Sequence, residues 1–193
     1  METIKRDIYL NRLIERRENG LIKVVTGIRR CGKSYLMFKL FYQYLLDSGV
    51  EASRIITVSL DDDDYEELRD SKQLSRYIRQ RITDDGMWYV FLDEVQMCKG
   101  FESVLNGLNR KENLDIYVTG SNSKFLSSDV LTEFRGRGDE VRVYPLSFAE
   151  YVSAYSGDKY DAWIDYYTYG GLLLILSRKT DDCKQQKCRI IRW

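Results

Sequence analysis

The stretch VVTGIRRCGKSYLM, residues 24–37, passes from β-branched residues through a glycine-bounded turn into helix-forming residues. Gly27, Ile28, Arg29, Arg30, Cys31, Gly32, Lys33 and Ser34 satisfy G-x-x-x-x-G-K-[ST] at every position. The glycines let the backbone wrap close to phosphate oxygens, and successive N–H groups at a helix N-terminus supply positive potential. Lys33 is expected to reach the β- and γ-phosphates of a triphosphate, and Ser34 to hold Mg²⁺ through its hydroxyl. A strand before the motif and a helix after it are the context that confirms it. The segment from Gly27 to Tyr35 is therefore the candidate nucleotide-binding stretch. Arg29 and Arg30 fill variable positions whose side chains can point away from a nucleotide, so positive field is their expected contribution. Cys31 stands near a helix N-terminus and a lysine, both of which lower a thiol pKa. A readily alkylated thiol that ATP protects is one expectation; a small residue that merely fits is the other.

Outward from this turn, residues 21–26 read as a strand and residues 33–49 as a helix. Further strands are expected at 54–60, 88–94, 114–122 and 140–146, and helices at 5–18, 71–82 and 104–111. The remainder from Ser147 reads as helical and aromatic. Strands alternating with helices predict an α/β fold: a central, mainly parallel sheet covered on both faces, in three α/β/α layers. In such sheets ligands bind beyond the carboxyl ends of the strands. Each polar cluster of this chain follows a strand, so the clusters are expected to meet at one edge.

Composition narrows the chemistry. The 193 residues include no histidine, which excludes Ser-His and Cys-His nucleophiles. Cys31, Cys98, Cys183 and Cys188 form no C-x-x-C pair, so a zinc site of the usual kinds is not expected. Reduced thiols and the lack of an apolar leader point to a cytoplasmic protein. No apolar run is long enough to span a membrane. Net charge is zero, yet residues 1–40 carry ten Lys/Arg against four Asp/Glu, a basic funnel around the phosphate motif. Nothing in the overall charge indicates nucleic acid.

Three strand ends supply the remaining candidates. In WYVFLDE, residues 88–94, Asp93 is placed to hold magnesium, directly or through water, and Glu94 to orient and polarise an attacking water. In TGSNS, residues 119–123, Thr119, Ser121 or Asn122 is placed to sense the γ-phosphate, the last two hard to separate. In EFRGRGDE, residues 133–140, Arg135 and Arg137 offer a guanidinium to the γ-phosphate in this subunit or a neighbour's, with pairing to Glu133 or Asp139 as the alternative. The run Asp61–Asp64 cannot point four carboxylates at one ion from an extended chain, so a solvated turn is expected, with Asp61 or Asp62 the candidate for facing the active edge.

The segments IKVVTGIRRCGKSYLM, YVFLDEVQ, DIYVTGSNSKFLSSDVLTEFRGR and VYPLSFAEY follow one another within residues 5–171. Together they resemble the prokaryotic AAA-type P-loop ATPases that carry a C-terminal domain of unknown function. The resemblance implies an ASCE-type P-loop NTPase core with the phosphate-loop strand beside the Asp-Glu strand, ATP as nucleotide and Mg²⁺ as ion. It carries Lys33, Ser34, Asp93, Glu94 and the polar residues Thr119, Ser121 and Asn122 over as site residues, and Arg137 by its place after the sensor strand. Members of that family are much longer, with Tyr-Gly-Gly, here residues 169–171, near the junction to the second domain. Residues 1–146 are thus expected to be the ATPase core, and 147–193 a helical extension and the truncated start of the C-terminal domain. Expected partners are ATP, that missing domain and an unidentified protein, with a homo-oligomer as one arrangement. The leading functional reading is a Mg-dependent ATP hydrolase driving conformational change in an attached or partner domain. A nucleotide-gated switch with little turnover is the alternative. A P-loop kinase is disfavoured by Glu94 and by the lack of an acceptor or lid motif.

Overall fold

The computed structural model describes residues 4–120, 134 and 136–176. Helix α1 (Asp7–Glu15) precedes strand β1 (Ile22–Thr26), whose five residues are all buried. Helix α2 begins as Lys33–Tyr35, widens into a π-helical stretch at Leu36–Phe41 and continues as Tyr42–Asp47. Strand β2 (Ile55–Ser59), a 3₁₀ segment (Asp63–Arg69) and helix α3 (Ser71–Arg81) follow. Then come strand β3 (Trp88–Asp93), helix α4 (Phe101–Leu108), strand β4 (Leu114–Thr119) and strand β5 (Gly138–Arg142). Three helices close the described chain: α5 (Phe148–Ser153), α6 (Lys159–Tyr169) and α7 (Leu173–Leu176).

Among the described residues all strand pairs are parallel, and the order across the sheet is β2-β3-β4-β1-β5. Every carboxyl end therefore reaches the same edge, as expected. One expectation is corrected. β4 lies between the phosphate-loop strand β1 and the Asp-Glu strand β3, so those two are not neighbours. Each parallel pair needs a crossover, and local periodicity does not say which strands a crossover makes adjacent.

Alternation along the strands feeds two cores. Val24, Val90, Leu92, Ile116 and Val118 pack with Leu74 and Ile78 of α3 and Leu105 and Leu108 of α4. On the other face, Val25, Phe91 and Tyr117 pack with Leu13 of α1 and Met37, Phe41 and Leu45 of α2. The Phe41 ring lies 4.7 Å from Tyr117 and 5.7 Å from Phe91, centroid to centroid. Truncating so embedded a ring to alanine costs about 3–5 kcal/mol. A third cluster joins Ile4, Leu146 and Leu172 to Tyr151, Ala162 and Ile175 of the C-terminal helices. Helix α5 starts with a capping box, Ser147 with Glu150, and α6 with an Asp158 cap.

Boundaries shift at several elements, two of them instructive. The helix expected at 104–111 occupies Phe101–Leu108, entered through Gly100 at φ +74. The strand expected at 140–146 is Gly138–Arg142, because Gly138 already pairs with Ile22 at the start of β1. No helix among the described residues is long and apolar enough to cross a membrane.

Candidate nucleotide-binding site

The buried strand β1 ends at Thr26, and the chain turns through Gly27–Gly32 into α2. Gly27 sits at φ +145, and a Cβ there would lie 2.2 Å from the Val143 carbonyl oxygen. Gly32 sits at φ +99, where a Cβ would lie 2.4 Å from Leu173 Cδ1. Neither position admits a side chain without strain, so the motif's glycines are required by conformation and by space. At the tip, Ile28, Arg29 and Arg30 are exposed, and Arg30 takes a left-handed φ of +68. Tyr35 is half-buried and reaches the Ile4 carbonyl at 3.5 Å.

Lys33 is 5% exposed and donates to the Gly27 and Ile28 carbonyls at 3.0 and 3.2 Å, which holds its ammonium inside the loop. Ser34, one residue on, lies close enough to the Asp93 carboxylate at the end of β3 to favour its charged form. Thr119, at the end of the intervening β4, donates to Asp93 Oδ1 and accepts the Glu94 backbone N–H at 3.2 Å. Burial pushes the Asp93 carboxyl above its ordinary value; Ser34 and Thr119 pull it down, and the charges of Glu94 and Asp61 push upward. Glu94 adopts a left-handed conformation (φ 49, ψ 48), and Gln96 Nε2 donates to its carboxylate. A non-glycine residue held there costs about 1–3 kcal/mol, and such strain clusters at functional sites. The loop strand, the acidic strand and the strand between them thus bring Lys33, Ser34, Asp93, Glu94 and Thr119 together at one edge.

Other sequence candidates fall elsewhere. Arg137 is exposed, and its carbonyl accepts the Ile22 N–H at 2.7 Å, at the amino end of β1. The five residues of β1 (Ile22–Thr26) separate it from its own phosphate loop, about 16 Å at 3.3 Å per residue. It does not join this constellation. Ser121, Asn122 and Arg135 lie outside the described residues. Asp139, offered as an arginine partner, pairs with Arg16 at 3.0 Å. Of the acidic run, Asp62 caps its own turn by accepting from Asp64 N, while the charge of Asp61 is felt at Asp93. Among the described residues no group of three or more acidic or cysteine side chains forms a metal cage.

Of the two expectations for Cys31, the structure favours the small residue that merely fits over the reactive thiol. Its thiol is 1% exposed, and burial pushes its pKa up, outweighing the downward pull of Lys33 and Arg6. A residue that sequence reasoning missed explains part of that burial. Arg6, 1% exposed, donates to the Cys31 carbonyl at 2.9 Å and to the Tyr144 carbonyl at 2.7 Å. It also pairs with Glu150 of α5 at 2.9 Å and stacks over the Tyr9 ring at 4.5 Å. An arginine in a charged, helical opening carries no local signal of such a role.

The glycine-wrapped lysine loop, the extra strand β4 and the Asp-Glu pair at the end of β3 define a P-loop nucleotide-binding protein of the ASCE arrangement. Residues 19–152 match the family model described as an AAA domain, and the chain belongs to that family. An uncharacterized protein of Haemophilus influenzae is 32% identical over 174 residues, covering 87% of this chain and 43% of that protein. The uncharacterized protein MJ1544 of Methanocaldococcus jannaschii is 29% identical over 157 residues, covering 79% of this chain and 33% of that protein. The chain thus spans less than half the length of these curated relatives. Among solved structures, AMPPCP-bound DnaA from Aquifex aeolicus aligns with a TM-score of 0.58 at 16% identity, covering 95% of this chain and 60% of that one. Aeropyrum pernix ORC1, solved in complex with DNA, aligns with a TM-score of 0.55 at 14% identity, covering 79% and 48%. These two likenesses concern the fold. Family and fold together make this an ATP-binding, ATPase-like chain.

Proposed function

We propose that this chain is a Mg-dependent ATP hydrolase whose nucleotide cycle drives conformational change in an attached or partner domain. The observation that carries the reading is the convergence of Lys33, Ser34, Asp93, Thr119 and Glu94 from three strand ends. The glycine positions that no Cβ can fill fit a loop whose backbone approaches phosphate. Ser34 and Asp93 fit magnesium: both are hard oxygen donors, and they lie near each other at one edge of the sheet. When bound, the ion would neutralise charge on the β- and γ-phosphates.

The chain's own groups do the rest. Lys33 exchanges the Gly27 and Ile28 carbonyls for phosphate oxygens, so its desolvated ammonium meets charge instead of dipoles. Loop N–H groups and the start of α2 face the same anion. Glu94 orients a water and polarises it toward the γ-phosphate. Thr119, bonded to Asp93 and to the Glu94 backbone, keeps both acidic residues in register. The much greater length of the relatives supports a further domain as the part that moves. We place residues 147 onward at its boundary and the protein in the cytoplasm, and take a homo-oligomer as compatible with the family.

One observation favours a second reading, a nucleotide-gated switch: the Glu94 carboxylate is already engaged by Gln96. Phosphate release at saturating Mg-ATP separates the two. Hydrolysis predicts release above background that disappears in Glu94→Gln while nucleotide affinity is kept. Tight binding with background release in both chains overturns the hydrolase reading and leaves the switch.

A further inference from the structure

Helices α3 and α4 flank a groove of about 620 Å³ that the nucleotide site does not use. Lys72, Arg76 and Arg79 line it, together with the hydroxyls of Ser71, Ser75 and Ser103. The three cations recur on α3 at the helical repeat that places them on one face. Their polar partners are neutral: Arg76 reaches Gln73 Oε1 at 3.5 Å, and Arg79 reaches Ser75 Oγ at 3.2 Å. Among the described residues no carboxylate lies within ion-pair distance of any of the three. Asp70, at the head of α3, spends its carboxylate on the Lys72 and Gln73 N–H groups. Among the described residues every charged side chain on the walls is therefore a cation, on a chain whose net charge is zero.

We propose that this groove binds the phosphate backbone of a nucleic-acid duplex, by charge and hydroxyl contacts and without reading bases. The donor set decides the class of partner. Lys, Arg, Ser and Gln are the side chains that contact phosphates and position a protein on a duplex. An acidic protein segment would need an apolar or aromatic anchor at the centre of its site, and among the described residues Val104 is the one apolar side chain on these walls. A single strand would be held by bases stacked on aromatic rings, and among the described residues no aromatic side chain lines the groove. The dimensions agree. Lys72 to Arg79 spans about 10 Å along α3 at 1.5 Å per residue, against about 3.4 Å of axis per phosphate on one strand.

The test is fluorescence anisotropy of a labelled, mixed-sequence DNA duplex titrated with the whole chain at several salt concentrations. Three neutralised phosphates predict a slope of log affinity against log salt of about −3. The double substitution Arg76→Glu with Arg79→Glu should weaken binding at least tenfold and flatten the slope to about −1, leaving ATP affinity unchanged. Arg76→Gln with Arg79→Gln, which preserves size, guards against a folding defect and should act in the same direction. Lys33→Ala should still bind the duplex, which separates the groove from the phosphate loop. Absence of binding at low salt, or the full slope in both double variants, overturns the proposal. Preference for polyglutamate over the duplex overturns it in favour of an acidic protein partner.

Discussion

The two edges of the sheet each bury a lysine and an aspartate, and they use them in opposite ways. At the amino edge Lys23, fully buried, pairs directly with Asp115 of β4. Tyr117 donates to the same carboxylate at 2.8 Å, and the Glu18 N–H at 2.9 Å. Each charge there is answered by the other. At the carboxyl edge Lys33 and Asp93 are almost as deeply buried but do not pair. Carbonyl oxygens hold the lysine, and the Thr119 hydroxyl holds the aspartate. An ion pair satisfies itself and has nothing left to offer. Two charges held apart by neutral partners keep their attraction for an anion and a cation that arrive together, as a metal-bound triphosphate does.

Asp115→Asn should give the largest effect, because it strands the Lys23 charge in the interior. Loss of one partner of a buried pair costs about 3–5 kcal/mol, read as a lower midpoint in denaturant unfolding. An unchanged midpoint would place Lys23 in water and erase the contrast between the edges. Lys33→Ala should reverse the pattern, weakening ATP binding about a hundredfold, roughly 2.7 kcal/mol, with a smaller change in unfolding. Calorimetric titration with Mg-ATP checks it, and undiminished affinity would remove the carboxyl edge from function. Thr119→Val touches both stability and chemistry. It leaves the Glu94 N–H and the Asp93 carboxylate without their shared hydroxyl, a loss of about 1–3 kcal/mol, and should lower phosphate release in parallel. Smallest is the effect at Cys31. With its thiol above the ordinary value of 9.0, the thiolate emerges only at more alkaline pH. Iodoacetamide labelling followed by mass spectrometry should find Cys31 slower than a free thiol at pH 8, and faster as pH climbs. Rapid labelling at neutral pH would show that Lys33 outweighs burial after all.

Much of the carboxyl edge is legible in the residues themselves. The Gly27–Ser34 spacing specifies backbone conformation and charge together, and the apolar run before Asp93 announces a strand whose end carries acid. The order of strands is not legible in this way. Adjacency of β1 to β4 instead of β3 depends on which helix packs on which face, a property of the assembled cores. Cys31 shows a similar limit. Its neighbours in sequence lower a thiol pKa, while the burial that raises it is supplied by chain from distant positions. Thr119 was visible only as one member of a polar cluster, since its distinction lies in standing between two strands that flank it. The alternation in β1 reads as buried apart from Lys23, and nothing local says that Asp115 waits beside it.

Arg6 fastens three stretches of chain with one rigid, planar fork: the turn at Cys31, the exit from β5 at Tyr144, and helix α5 at Glu150. One side chain from the opening residues thus links α5 and the β5 exit to the turn directly, outside the ladder of the sheet.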